Sequence, residues 1–239
     1  HLNKGFTPSN FTGLFRRRGI RWGETFIQMA QIGSSALLVV GLIAFLVGGT
    51  MALQSAQQLR NFGANIFVVD LVSLAVTREL GPLITAIVIA GRSGSAVAAE
   101  VGTMRITEEL DALRTMGINP IRFLIAPKVI AITITQPLLT MFANLLAIGG
   151  GFVVAVTYLE VGPAPFFNRL REVMLVSDIL TGLLKSVAFA NLIVTIGTLY
   201  GLRTGGGADA VGRSTTTSVV VSIFAVIVAD AVFSLVFYF

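Results

Sequence analysis

Apolar residues run through this chain in long blocks that are separated by short polar stretches. The first block extends from Ile32 to about Gln58, interrupted by Gly41, Gly48 and Gly49, which helices tolerate far better in lipid than in water. The second runs from about Ile66 to Ala99; at about 1.5 Å of rise per residue it is longer than a bilayer needs, so it is expected to project or to bend. Residues 121–159 are apolar for nearly their whole length, with Pro137 inside and Gly149, Gly150 and Gly151 near the end. One long kinked span and a tight hairpin of two both fit that pattern. Two further blocks, about 179–202 and 214–238, flank the stretch Arg203 to Asp209, which contains Gly205, Gly206 and Gly207. Five spans is the favoured count, with the glycine loop in the cytoplasm and the loop near residue 170 outside.

The polar stretches add two elements. Within residues 1–30, Phe11, Leu14, Phe15, Ile20, Trp22 and Phe26 interleave with Arg16, Arg17, Arg18 and Arg21, a mixture suited to a cytoplasmic helix lying in the membrane interface. Residues 104–119 read as a short helix outside the membrane. Thr107 is placed to cap it, Glu108, Glu109 and Asp111 fill its first turn, Arg114 its last, and Gly117 stops it before Asn119-Pro120. Leu110, Leu113 and Met116, three residues apart, make one apolar stripe on this polar rod.

Composition confirms the class. Of 239 residues, 54% are hydrophobic and 12% charged, about half the charge of a soluble domain. The expectation is an all-α integral membrane protein with a single transmembrane domain over 1–239 and no room for a separate soluble catalytic domain. There is no cysteine and the one histidine is His1, so disulfides, thiolate metal sites and a Cys nucleophile are excluded, and neither a metal site nor His-based catalysis is expected. The net charge of +5 is explained by arginines beside an apolar block rather than by nucleic acid.

Charges inside spans are costly and mark function or a buried partner. Arg78 and Glu79 are adjacent, so on a helix they point about 100° apart and each needs a partner elsewhere. Gly81-Pro82 follow at once and should kink the helix there. Lys185 lies 22 residues before Gly207 and Asp230 lies 23 after it, which in an antiparallel hairpin puts them at one depth as an ion pair. Gln54, polar in an apolar setting, and Phe62 beyond it are weaker candidates. Gly91/Ser95/Ala99 and Gly94/Ala98/Gly102 give two small-residue faces suited to close helix packing. The run Gly91-Arg92-Ser93-Gly94-Ser95 lacks the Lys-Ser/Thr ending of a nucleotide-binding loop and follows no strand. The absence of a G-x-S-x-G elbow and of a histidine base disfavours an intramembrane hydrolase.

In one order the chain carries Arg78-Glu79-Leu80-Gly81-Pro82-Leu83, Ala90-Gly91-Arg92-Ser93-Gly94-Ser95-Ala96, Ala99-Glu100-Val101-Gly102-Thr103-Met104, Glu108-Glu109-Leu110-Asp111-Ala112-Leu113, Met116-Gly117-Ile118-Asn119-Pro120 and Ala126-Pro127. This string closely resembles the MlaE (YrbE-like) permease family of MCE-associated lipid ABC transporters. The resemblance implies a homodimer in the bacterial inner membrane, five spans after an interfacial helix, and a cytoplasmic coupling helix. It implies as partners an MlaF-like ATPase that carries ATP and Mg, an MlaB-like STAS protein and an MlaD-like MCE hexamer. No cofactor is expected in this chain. The substrate would be phospholipid, moved in support of outer-membrane asymmetry, and held in a cavity to which Gln54, Phe62, Arg78, Glu79 and Lys185 contribute. Glu108, Glu109, Leu110, Asp111, Leu113 and Met116 would seat the coupling helix on the ATPase. The competing reading is an ion-coupled secondary lipid or drug transporter with Glu79 and Asp230 as proton carriers; the charged helix near 107–117 is a feature such a carrier has no reason to possess.

Overall fold

The computed structural model describes residues 22–238, and every regular element among them is helical. In chain order these are α1 (Trp22–Arg60), α2 (Asn65–Ile106), α3 (Glu109–Thr115), α4 (Ile121–Tyr158), α5 (Pro163–Val173), α6 (Val176–Arg203) and α7 (Ala208–Tyr238). Five of them, α1, α2, α4, α6 and α7, are long and apolar enough to cross a membrane. Most of the interfacial helix expected over 1–30 lies outside the described residues. Trp22 to Ala30 is not a separate element but the start of α1.

Residues 121–158 form one helix that passes through Pro137, so the hairpin alternative is excluded. Of the glycines that resembled a turn, Gly150 and Gly151 serve packing. A Cβ on Gly48 would run into the backbone of Ala147, and one on Gly150 into the carbonyl of Phe45. Bare backbones thus let α1 and α4 meet along their length, as small residues do between helices in lipid. Gly149 faces open space.

The second small-residue contact joins α2 to α6. A Cβ on Gly94 would lie 2.8 Å from Cγ2 of Ile193, one on Gly197 2.8 Å from the Gly94 carbonyl oxygen, and one on Gly201 2.9 Å from that of Ala98. Gly102 abuts Thr204. Only the Gly94/Ala98/Gly102 face packs in this way. Contrary to expectation, Gly91 meets nothing within 4 Å, and the Ser95 hydroxyl turns back on its own helix, 2.6 Å from the Gly91 carbonyl. The reason is a π-helical turn at Ala90–Gly94, whose extra residue shifts the phase of the preceding face.

Two more π-helical turns, Val76–Leu80 and Ile121–Ile125, each end one residue before an X-Pro pair. Gly81 N–H donates to Val76 O and Ala126 N–H to Ile121 O, and Pro82 and Pro127 follow. The break expected at Gly81-Pro82 therefore takes the form of a widened turn through which α2 continues, a common way of accommodating a missing donor.

Thr107 does not cap α3. Its N–H donates to Thr103 O and so ends α2, while Glu108, in the left-handed region at φ 60°, occupies the N-cap position. The chain turns more sharply than a simple cap allows. Gly117, at φ +75°, ends α3 as the pattern predicts.

Candidate functional site

The widened turn at Val76–Leu80 carries Arg78 and Glu79, which diverge to different helices. Glu79 faces α6 and α7. Lys185 Nζ donates to Glu79 Oε2 at 2.5 Å, to Asp230 Oδ1 at 3.1 Å and to Ser234 Oγ at 2.9 Å. The Ser234 hydroxyl lies 3.0 Å from both Glu79 oxygens. Lys185 is fully buried. Its approach depends on Gly182, three residues earlier, where any Cβ would strike the Thr77 carbonyl. Arg78 turns the other way, with Nη2 2.8 Å and Nε 2.9 Å from Asp178 Oδ1.

The equal spacing of Lys185 and Asp230 about the glycine loop thus corresponds to a contact. Asp178 was not legible: it precedes the apolar block that begins near 179, yet α6 begins at Val176 and Asp178 is buried in its first turn, also accepting the Leu175 N–H at 3.3 Å. The need of Arg78 for an acidic partner was the one signal that pointed to it. Ser234 carried no signal.

Of the five residues expected around a lipid cavity, the structure joins Glu79 and Lys185 directly, with Arg78 beside them. Gln54 and Phe62 are exposed on the surface of the single chain, Phe62 at 83%. The ammonium of Lys185 has no exposed surface, so a headgroup reaches it only if this cluster opens. The Arg78 and Glu79 side chains keep 33% and 32% of their surface and form the accessible edge.

Two further ion pairs bracket the bundle. Arg169 on α5 grips Asp70 at 2.8 and 2.6 Å, with its guanidinium 5.1 Å from the centroid of Phe67. The hydrogen bond to Asp70 raises the Arg169 pKa above its ordinary value. At the α3 end, Lys128 of α4 pairs with Glu100 of α2.

On α3 the apolar stripe divides. Leu110 is 2% exposed and anchors the helix, Leu113 is half-buried, and Met116 is 65% exposed. Asp111 accepts from Arg105 at 3.1 Å and from Arg114 at 2.8 Å, while Glu108 and Glu109 remain exposed.

Residues 25–236 match the family model described as Permease MlaE. A probable ABC transporter permease of Synechocystis sp. is 39% identical over 207 residues, covering 87% of this chain and 79% of the relative. A probable ABC transporter permease of Rickettsia prowazekii is 35% identical, covering 88% and 82%. The chloroplastic protein TRIGALACTOSYLDIACYLGLYCEROL 1 of Arabidopsis thaliana is 35% identical, covering 92% of this chain and 63% of its own length. With a match over nearly all of its five-span bundle, the chain belongs to the MlaE permease family and is a multi-pass membrane permease subunit rather than an enzyme.

Proposed function

We propose that the chain is the permease of an ATP-driven phospholipid transporter in the bacterial inner membrane. It works as a homodimer between a cytoplasmic MlaF-like ATPase and a periplasmic MlaD-like MCE hexamer, with an MlaB-like STAS protein on the ATPase, and supports outer-membrane lipid asymmetry. The observation that carries this reading is α3. A seven-residue helix stands between two spans, tied to the bundle by buried Leu110, and it presents Glu108, Glu109 and Met116 outward. Such a helix is a handle for a partner and has no use in a carrier driven by ions alone. The lipid in the name of the Arabidopsis relative favours a lipid cargo.

ATP and Mg belong to the partner ATPase. Closure of that ATPase pushes the two α3 handles together, and the spans rearrange between two packed states. The cavity lies between the two copies, with Gln54 and Phe62 on its wall and Arg78 and Glu79 at its polar edge. Arg78 is the group suited to a lipid phosphate through charge-assisted hydrogen bonds, exchanging part of its hold on Asp178. Apolar walls solvate the tails, and no covalent step is required.

The test is co-purification of the tagged chain from mild detergent, with ATPase assay and lipid transfer from vesicles. An ATPase that copurifies, and is lost when Glu108, Glu109 and Asp111 are changed to Lys, supports the reading. Transport that follows a proton gradient without nucleotide overturns it in favour of an ion-coupled carrier.

A further inference from the structure

A cavity of about 210 Å³ opens between α1, α2 and α4, away from the Lys185 cluster. Its polar wall holds Arg92, Lys128, Glu100, Gln31 and Ser35, and Ile132 belongs to its apolar wall. Lys128 is 5% exposed and paired with Glu100. That pair is neutral as a unit, so Arg92, whose side chain has no ion pair among the described residues, leaves the wall with one net positive charge.

The depth of the cavity is set by its helices. Lys128 lies seven residues after the start of α4 at Ile121, and Glu100 six residues before the end of α2 at Ile106, so both sit about 10 Å in from the helix ends. A helix of 42 residues exceeds the full bilayer with its headgroup layers, about 40–45 Å, by roughly 20 Å. Shared between the two ends, that excess puts a position about 10 Å from the end at headgroup level; Arg92, 14 residues before Ile106, starts about 21 Å in, at the border of the apolar core, from which a long side chain reaches the headgroups by snorkelling. Toward the bilayer centre from Ser35, the next turn of α1 exposes Leu38 at 73%, an apolar wall for a chain that leaves the cavity along the membrane. The volume is below the roughly 300–1,000 Å³ of a site that engulfs a whole ligand, so it takes a headgroup and leaves the tails outside.

We propose that this cavity holds the phosphate of a glycerophospholipid drawn from the leaflet on the α3 side, with Arg92 as its principal donor. Basic pockets between spans at this depth suit phosphate-bearing headgroups, and the planar guanidinium can bind two phosphate oxygens at once. The run Gly91 to Ser95, which fails as a nucleotide loop, is in this reading the π-helical turn that carries Arg92. As a step of transport the site rests on the permease reading; as a binding site it is tested separately.

The experiment is thermal unfolding of the full chain in detergent, titrated with phosphatidylglycerol, with diacylglycerol of the same tails, and with inorganic phosphate. Phosphatidylglycerol is expected to raise the midpoint saturably, with half-saturation weakened about tenfold or more in Arg92→Gln, as for loss of a charge-assisted bond. Ser35→Leu, which fills the cavity while keeping the charge, should weaken it as well, and Arg213→Gln, a charge removed at the same end outside the cavity, should not. Equal stabilisation by diacylglycerol, an unchanged titration in Arg92→Gln, or an equal loss in Arg213→Gln overturns the proposal. Saturation by inorganic phosphate at the same concentrations makes this a free-anion site and overturns the lipid assignment. None of these readouts needs nucleotide or transport, so loss of ATP-driven lipid transfer would remove the permease reading alone, and failure here leaves that reading intact.

Discussion

Lys185 and Glu79 are 106 residues apart in sequence, and their charged atoms meet at 2.5 Å in the interior of the bundle. Breaking a buried pair from one side leaves a charge without compensation, which costs about 3–5 kcal/mol. Lys185→Leu should therefore unfold at a much lower temperature than the wild type in detergent. Lys185→Leu combined with Glu79→Gln and Asp230→Asn should recover most of the loss. A triple variant no more stable than the single one would refute the cluster as described.

Arg78 and Asp178 form a second, separable pair across α2 and α6. A double-mutant cycle with Arg78→Gln and Asp178→Asn should give a coupling of about 1–3 kcal/mol in stability. Strict additivity would show that the two side chains do not meet.

Glycine placement makes a sharper contrast. Gly48→Val and Gly150→Val force α1 and α4 apart and should each cost several-fold more than ordinary surface changes, about 3 kcal/mol or above. Gly149→Ala, adjacent in sequence but facing open space, should be neutral or stabilising by about 0.5–1 kcal/mol. Thermal midpoints of the three variants decide it.

On α3, Leu110 and Met116 should part company. Leu110→Ala removes a buried anchor and should lower the unfolding midpoint. Met116→Glu should leave that midpoint unchanged while weakening ATPase co-purification. A stability loss in both would mean that the stripe is one packed face.

With no native cysteine, topology can be read by labelling. Asn168→Cys on α5 and Asp209→Cys at the start of α7 are exposed and separated by one span, α6. Membrane-impermeant reagent should reach them from opposite sides. Labelling of both from the same side would contradict the five-span arrangement.

The spans were legible because about 20 apolar residues in a row have few alternatives to a membrane helix. Lys185 and Asp230 were legible because an antiparallel hairpin turns equal sequence distance into equal depth. Other features depended on tertiary context. Gly149 to Gly151 and Pro137 carry the same local signal in a turn and in a close helix contact; only the backbone of α1 beside them distinguishes the two. Asp178 was hidden because a proline-containing stretch precedes it, and the hydropathy change that marks a helix start came three residues, nearly one turn, late. Thr107 illustrates the opposite error: its side chain suits a cap, but its N–H was already committed to the helix behind it. The outward position of Gln54 follows from which face of α1 meets α4, and the composition of α1 leaves that open; Phe62 lies beyond α1, in the turn that leads to α2.

Helix α7 buries 11% of its most apolar stretch, against 50% for α2. Dispersion contacts along buried Ser218, Ser222 and Val226 spread the attachment of α7 over many atoms; Asp230 and Ser234, continuing the same four-residue spacing, add a directional one. Both anchors engage the same Lys185–Glu79 centre. A quarter-turn of α7 about its own axis would carry both groups out of reach together, so the pair acts as a detent on axial rotation. Sliding by a single residue would do the same, since each residue advances the face by about 100°. The last helix therefore has one angular setting relative to the widened turn of α2, and the orientation of its outward face is indexed by four side chains in the interior.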